Sequence, residues 1–370
     1  MNNASCGDTI RLAAGTYSGA MAINRSCPAN NPVIVQGAAN FASTATGTWT
    51  ITGARNIVTG VRFTTNGTQV RFSGTNNRLL ANEFTNFRRC IVVLKPGQYG
   101  EIAYNEFHDP APYAGTGYQD RICIRTGDDT TADVQTDVWV HHNMFRDFPQ
   151  KPDPNNYSSG QNDAIEICET NNQNYSPSFS GGWYIEHNML LRHRQGHGTI
   201  DLKCPGRTVV RYNTFLNTPG RIDIRGRTSI GATIESNWLD GSWGMVIHGR
   251  NNRIIGNRLI GGSIDLRAGS YECDGTPPSS GAHARVCDTL VAGNNSAIEI
   301  GVSSDNLPAI GTTIEQHTGS ITLSNHSKTT NTSSQQTTVK FAPAFKLNST
   351  EVGPAAISQA SASYLGCRLP

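Results

Sequence analysis

The sequence has no long hydrophobic run. None of its apolar stretches approaches the ~20 residues that a membrane-spanning helix needs, so we predict no membrane partner. An excess of charge of either sign is also lacking, since the chain has 30 Lys and Arg and 28 Asp and Glu, a net charge of +2. That balance, without a recognised nucleic-acid-binding module, argues against nucleic acid as a partner. Segments with helical periodicity are scarce, which leaves strands and turns as the main elements.

Two kinds of repeat are absent as well. The chain has neither the regular Thr-x-Thr ladders of ice-binding helices nor the Gly/Asp nonapeptides that hold calcium. A non-catalytic carbohydrate-binding β-helix or adhesin stays open as an alternative. Long polar segments beside one charged strand favour a functional site over a passive rod.

One short unit recurs along the chain. The unit consists of a branched apolar residue, any residue, an Asn, any residue and a large apolar residue. Between residues 188 and 257, successive Asn residues of the unit are about 20 to 25 residues apart. The Asn residues are Asn82, Asn105, Asn143, Asn188, Asn213, Asn237, Asn257 and Asn294. Gly and Asn tolerate the positive φ of tight turns. We therefore predict an all-β fold, a single-stranded right-handed parallel β-helix, over 1–300 with an N-terminal cap and loops inserted at 127–182. Closing coils and a C-terminal cap are predicted at 301–370, and we expect a monomer.

Five strands in this region align without a gap, at 165–168, 200–203, 222–225, 245–248 and 264–267. Because side chains alternate faces along a strand, the apolar positions are predicted to point inward and the polar ones outward onto one face. Stacked coils would form an external basic column, about 4.8 Å per rung, beside an acidic row. The basic column comprises Lys203, Arg225, His248 and Arg267, and the acidic row Glu166, Asp201 and Asp223. A fixed row of cations suits an extended anionic polymer.

Nine cysteines indicate an oxidising compartment. The candidate pairs are Cys6 with Cys27, Cys273 with Cys287, Cys168 with Cys204 and Cys90 with Cys123, which leaves Cys367 over. Buried free thiols are the alternative. We expect a secreted or periplasmic protein. Because Met1 is followed directly by mature-looking sequence, we also expect that an export signal has been removed.

The polar segments between 127 and 182 precede the strand that ends at Lys203. Long polar loops on a rigid scaffold are where binding residues concentrate. They bring Tyr157, Tyr175 and, directly after them, Trp183, whose rings could stack on sugars or else pack the loops themselves.

Residues 163–262 resemble polysaccharide lyase family 6, the β-helical alginate lyases and chondroitinase B. The resemblance lies in TIDLKCPGRTVVRYNTFLNTPGRIDIRG, where a Lys-ended strand precedes a coil with Asn-x-Phe and a Gly-led strand, and in the next coil, GMVIHGRNNRIIGNRLIGG. The N-terminal GDTIRLAAGTYSG is similar to that family's opening. The resemblance implies cleavage of a uronic-acid polymer by β-elimination, with alginate the first candidate and a glycosaminoglycan the second.

The resemblance also implies roles for two residues. Lys203 would be the base, and Arg225 would polarise the site or help to protonate the leaving oxygen. β-Elimination removes the proton α to a carboxylate, so the site must neutralise that carboxylate, supply a base and protonate the departing oxygen. We expect the Arg225 cation to disfavour the Lys203 ammonium and so make the amine available as a base.

The chain departs from the family at a metal site. In the family, two Glu residues seven and five positions before the Lys help to hold a calcium ion that neutralises the substrate carboxylate. Here those positions are Gly196 and Gly198. We therefore predict no metal cofactor and expect nearby cations to neutralise the substrate. The predicted substrate-binding residues are Glu166, Arg194, His197, Asp201, Asp223, His248, Arg250 and Arg267.

An inverting hydrolase of polygalacturonase type is the alternative enzyme. Gly196-His197-Gly198, with Asp128-Asp129 and Asn162-Asp163, superficially resembles the motifs of glycoside hydrolase family 28. Asp201, Asp223 and His197 would then activate water. Asp128-Asp129 belongs to a different coil from His197, so the motif does not itself supply the paired carboxylates that inversion needs, although the acidic row could.

Overall fold

A computed structural model describes residues 4–112, 120–126, 136–149, 162–167, 182–194, 198–203, 206–224, 231–267, 286–300, 312–315, 317 and 319–323. Within these ranges the regular structure is β, apart from one short 3-10 turn at Ala39–Phe41. No helix of these described ranges is long and apolar enough to cross a bilayer.

The strands are short and numerous. In chain order they are β1 (Thr9–Arg11), β2 (Gly15–Tyr17), β3 (Met21–Ile23), β4 (Val33–Gln36), β5 (Ser43–Ala45), β6 (Trp49–Ile51), β7 (Asn56–Thr59), β8 (Val61–Thr64), β9 (Thr68–Thr75), β10 (Arg78–Leu80), β11 (Glu83–Thr85), β12 (Arg89–Ala103), β13 (Glu106–His108), β14 (Arg121–Thr126), β15 (Thr136–His141), β16 (Met144–Arg146), β17 (Asn162–Ile167), β18 (Tyr184–Glu186), β19 (Met189–Leu191), β20 (Ile200–Leu202), β21 (Val209–Arg211), β22 (Thr214–Leu216), β23 (Arg221–Ile224), β24 (Thr233–Glu235), β25 (Trp238–Asp240), β26 (Gly244–Ile247), β27 (Arg253–Ile255), β28 (Arg258–Ile260), β29 (Ser263–Leu266), β30 (Leu290–Ala292), β31 (Ala297–Ile300), β32 (Thr313–Glu315) and β33 (Ile321–Leu323).

These strands form three parallel stacks, in which each strand pairs with its counterparts one coil before and one coil after. The first stack runs β3, β6, β9, β12, β14, β17, β20, β23, β26, β29, β31 and β33. The second runs β1, β4, β7, β10, β12, β15, β18, β21, β24, β27, β30 and β32, and the third β2, β5, β8, β11, β13, β16, β19, β22, β25 and β28. Strand β12 belongs to two stacks, because its beginning pairs with β14 and its end with β15. The predicted right-handed parallel β-helix is confirmed. Of the predicted closing coils, β32 and β33 are described, whereas the C-terminal cap lies outside the described residues.

The recurring Asn residues form a ladder at the turn between the second and third stacks. Asn188 is typical, since its Nδ2 donates to Val140 O at 2.9 Å and to Asn213 Oδ1 at 3.0 Å. The residue before the Asn has positive φ, as at His142 (53°) and His187 (54°). The sharp turn leaves backbone groups inside the coil, and the amide side chains pair with them.

The core is one continuous apolar column inside the coils. Phe63, Phe84, Phe107 and Phe145 stack with centroid separations of 4.9, 4.8 and 4.7 Å. Each such pair contributes about 0.5–1.5 kcal/mol beyond burial of its area. The rigid column holds the rungs in register.

The cysteines agree in part with the sequence prediction. Cys6 and Cys27 form the predicted disulfide. Cys287 is also disulfide-bonded, to a partner outside the described residues. Cys90 and Cys123 are neighbours on β12 and β14, but they are buried free thiols, so a disulfide there is wrong for this structure. Burial raises the pKa of both thiols. The other predicted partners, Cys168, Cys204, Cys273 and Cys367, lie outside the described residues.

Candidate active site

The first stack brings a row of charged residues onto consecutive rungs. Arg125 lies opposite Glu166, Glu166 opposite Asp201, and Asp201 opposite Asp223. The apolar positions between them are also in register, with Ile200 opposite Ile222. The predicted alignment of the strands is therefore confirmed. A slip by one residue would move every one of these charges to the other face of the sheet.

The acidic row is buried together with Lys203 and His248, which corrects the prediction that these side chains lie on an external face. Glu166, Asp201 and Asp223 are 0% exposed, Lys203 is 8% exposed and His248 4%. Alternation along a strand assigns a side chain to one face of the sheet, but it does not tell whether other parts of the chain cover that face. Charges taken out of water this completely require partners.

Lys203 takes its partners from the acidic row. Its Nζ donates to Glu166 Oε1 in a buried ion pair and lies 3.7 Å from Asp201 Oδ2. The backbone N–H of Lys203 donates to Ile167 O at 3.0 Å, so the chain still follows the ladder one residue beyond β20. Contact with a carboxylate favours the charged ammonium, which cannot accept a proton. This influence is opposite to the one expected from Arg225, which lies outside the described residues.

Asp163 lies beside Glu166 and Asp201 in this site, and the sequence prediction did not include it among the lyase site residues. One carboxylate oxygen each from Asp163, Glu166 and Asp201 can be chosen so that all lie within 4.8 Å of one another. Strict alternation would place Asp163 and Glu166, three residues apart, on opposite faces. The Asn162-Asp163 pair at the start of β17 is the signal in the sequence, where it resembles a motif of the hydrolase alternative only.

These three carboxylates fit a hard cation chemically. Calcium prefers oxygen ligands, and carboxylates gathered this closely supply them. The cluster is not the family's own pair of Glu positions, of which Gly198 is described and Gly196 is not. In this structure the Lys203 ammonium contacts two of these three carboxylates, those of Glu166 and Asp201.

The remaining predicted residues are more dispersed. Asp223 pairs with Arg221, with Nε and Oδ1 2.6 Å apart. Arg267 Nη2 lies 3.4 Å from Asp265 Oδ2, two rungs beyond Asp223. The backbone of Arg250 forms an isolated parallel β-bridge with the backbone of Cys287, beyond the end of strand β26.

Two others lie near the ends of the site. Arg194 is exposed, and its carbonyl oxygen accepts a hydrogen bond from Asn162 Nδ2 at 2.6 Å. His248 follows β26, with its N–H donating to Ile224 O at 2.9 Å. His197, predicted beside them, lies outside the described residues. The structure thus unites Glu166, Asp201 and Lys203, whereas Arg267 pairs with Asp265 on a later rung.

A second feature is a cleft on the second stack, with a volume of about 930 Å³. Its lining includes Tyr99, Glu101, Asp137, Trp139, Tyr184, Glu186 and Arg207. Tyr99, Trp139 and Tyr184 are 66%, 43% and 47% exposed. Trp183, predicted to face sugars, is instead packed in the core at 1% exposure, and Tyr157 and Tyr175 lie outside the described residues.

Comparison of the fold with solved structures finds polysaccharide lyases. A mannuronic acid specific polysaccharide family 6 lyase from the human gut microbiota has a TM-score of 0.67 at 16% identity, over 87% of this chain and 78% of that one. A family 6 alginate lyase in complex with a trisaccharide has 0.67 at 15%, over 86% and 75%. A family 6 lyase from Pseudopedobacter saltans has 0.65 at 18%, over 90% and 85%. At these identities the likeness shows the fold, and the predicted resemblance is confirmed at that level. The sequence matches no family profile and no curated protein.

Proposed function

We propose that the protein is a polysaccharide lyase that cleaves a uronic-acid polymer by β-elimination, with alginate the first candidate and a glycosaminoglycan the second. The observation that carries the proposal is the burial of the Lys203 amine among carboxylates on the first stack of a fold shared with family 6 lyases. Buried clusters of ionisable groups of this kind are typical of functional sites. The alginate lyase neighbour in complex with a trisaccharide supports a polysaccharide ligand.

The reaction assigns three tasks. A base removes the proton α to the uronate carboxylate, the C4–O bond breaks as the C4–C5 double bond forms, and the leaving oxygen takes a proton. We propose Lys203 as the base and Arg225 as its partner. The amine must be neutral to accept the proton, so the ammonium in contact with Glu166 has to lose its proton before each turnover. A substrate carboxylate near Glu166 and Asp201 requires a cation, and we propose that positive side chains of the first stack supply it.

A calcium ion, if the protein takes one, would be held by Asp163, Glu166 and Asp201 and would neutralise the substrate carboxylate. Metal independence stays our prediction, because the Lys203 ammonium already contacts two of these carboxylates, Glu166 and Asp201. Assays with and without a chelator test it. Loss of activity with the chelator and its return on adding calcium would contradict the prediction.

The hydrolase alternative is less consistent with the geometry. Inverting glycosidases hold their two carboxyl groups about 6.5–9.5 Å apart to admit a water molecule. The cluster that includes Asp201 is tighter, since one carboxylate oxygen from each of its residues lies within 4.8 Å of the others. Asp223 occupies the next rung, about 4.8 Å along the axis.

One assay separates the three functional classes. The protein is incubated with alginate, dermatan sulfate and polygalacturonate, and both ultraviolet absorbance of the C4–C5 double bond and new reducing ends are measured. A lyase produces both signals, a hydrolase produces reducing ends alone, and a binding scaffold produces neither. Lys203→Met should abolish the absorbance while far-UV circular dichroism stays unchanged. Reducing ends without absorbance from the unaltered protein would overturn the proposal.

We also propose a secreted or periplasmic location. The Cys6–Cys27 bond and the disulfide-bonded Cys287 support it, because disulfides persist in oxidising compartments. The monomeric state stays a prediction that light scattering can check.

A further inference from the structure

Three exposed aromatic side chains line the cleft on the second stack. Trp139 lies directly opposite Tyr184 on the next rung, and Tyr99 belongs to the rung before, at the point where β12 meets Asp137 and Val138. Trp139 and Tyr184 are therefore one rung, about 4.8 Å, apart along the solenoid axis. Tyr99 is offset along the strand by about two residues, since Trp139 pairs with Glu101. Large aromatic faces held on a rigid sheet are suited to stacking against sugar rings, which present C–H bonds on one face.

The backbone conformation at Tyr99 is typical of a residue in a binding site. Tyr99 has a φ of 55°, and the register between β12 and β15 shifts between Gln98 and Gly100. A bulky residue rarely adopts positive φ, and a β-bulge redirects a side chain out of the regular alternation. The result is a tyrosine that is 66% exposed at the cleft wall. Strained positions of this kind concentrate at binding sites.

The indole of Trp139 is held in place by neighbouring groups. Its Nε1 donates to Glu186 Oε1 at 2.6 Å, and its ring lies 3.9 Å from the ring of His141. Glu186 in turn accepts a hydrogen bond from Arg211. An exposed ring that is already oriented loses little side-chain entropy when it binds a ligand.

The charges of the cleft are largely balanced. Glu101 pairs with Arg78, and Glu186 with Arg211, so these two carboxylates are neutralised by cations on the adjacent rungs of the same stack. Asp137 accepts a hydrogen bond from the backbone N–H of Gly182 at 2.5 Å. Arg207 is exposed at the lining and offers its guanidinium to a ligand carboxylate, which it can bind in bidentate geometry.

We infer that this cleft is a second binding site for an extended chain of pyranose sugars, separate from the Lys203 cluster. The rings of Tyr99, Trp139 and Tyr184 stack on the sugars, and Arg207 pairs with a uronate carboxylate. The choice of a uronate chain rests on the proposed function, whereas sugar stacking does not. The site holds the polymer on the second stack while the first stack acts on it.

The test measures binding by calorimetry in full-length protein carrying Lys203→Met, so that the probe is not consumed. The probes are hexasaccharides of mannuronate and of guluronate, with cellohexaose as the uncharged comparison. Trp139→Ala and Tyr184→Ala should each weaken uronate binding about tenfold, which corresponds to about 1.4 kcal/mol. Trp139→Phe, which keeps a ring face, should lose less. Trp238→Ala is the control, because its indole packs under Arg258 on the third stack at 4.6 Å, and it should bind as the parent does.

Unchanged affinity in Trp139→Ala and Tyr184→Ala would overturn the inference, as would tighter binding of cellohexaose than of either uronate. Should Trp139→Ala not fold, Tyr99→Ala decides the matter, because that side chain is mostly exposed. The two proposals fail separately. Hexasaccharide binding that depends on Trp139, without any double-bond absorbance from the unaltered protein, would contradict the lyase and leave the binding site standing.

Discussion

Replacing Asn213 by Ala should cost the protein about 4 kcal/mol of folding stability. The Asn213 side chain is completely buried in the turn ladder. Its Nδ2 donates to Ile185 O at 2.8 Å and to Asn237 Oδ1 at 3.0 Å, and its Oδ1 accepts from the backbone N–H of Asn188 at 3.0 Å. Alanine can make none of these bonds.

The magnitude follows from the groups left behind. Ile185 O and Asn188 N–H are backbone groups inside the coil, and each loses the partner that Asn213 provided. A buried polar group without its partner costs about 1–3 kcal/mol, so the two together cost about 2–6 kcal/mol. In the variant, Asn188 Nδ2 still donates to Val140 O, and Asn237 Oδ1 still accepts from the backbone N–H of residue 213. Neither group therefore adds to the loss of stability.

Denaturant unfolding followed by far-UV circular dichroism and tryptophan fluorescence measures the change in the free energy of unfolding. Asn66→Ala is the matched control, since Asn66 is exposed and surface substitutions usually change stability by less than about 0.5 kcal/mol. A loss under about 1 kcal/mol for Asn213→Ala would refute the reasoning, because it would mean that the ladder does not satisfy these backbone groups.

Three further predictions concern charge and thiols. Glu166→Gln should move the acidic limb of the pH–rate profile to lower pH, because the Lys203 ammonium loses a carboxylate that favours it; an unmoved limb argues against Lys203 as the base. For Glu101, burial opposes the charge, but hydrogen bonds from basic neighbours outweigh it and lower the pKa from 4.5 to about 2. The folded state therefore gains stability above pH 4.5 that is lost as the pH falls towards 2, and Glu101→Gln should lose less stability over that window in acid titrations of unfolding. Cys90 and Cys123 should resist alkylation in the native protein and react after denaturation without reductant, and a peptide in which mass spectrometry finds them joined would contradict the free thiols.

The register of the first stack could be predicted from the sequence. Alternation of apolar and polar residues at 200–203 and 222–225 is a local property of the strand, and equal spacing in successive coils aligns Asp201 with Asp223. The recurring Asn also predicted the turns, because buried backbone groups at a sharp corner need a short amide partner. These features depend on near neighbours in the chain.

The aromatic cleft could not be predicted in the same way. Tyr99, Trp139 and Tyr184 are separated by inserted segments of irregular length, so no fixed period connects them in the sequence. Their adjacency follows from strand pairing between β12, β15 and β18. The neighbours Trp183 and Tyr184 could not be told apart from the sequence either. The ring of Trp183 is packed in the core, whereas the ring of Tyr184, one residue later, is exposed to solvent.

By itself, the sequence determined the solenoid, the order of its rungs and the row of charges that includes Lys203. Only the tertiary structure decided that this row is buried, that Asp163 joins Glu166 and Asp201, and that the amine is paired with carboxylates. The physical reason is that side-chain alternation acts over one or two residues, whereas burial and ion pairing depend on which distant segments cover the sheet and approach one another.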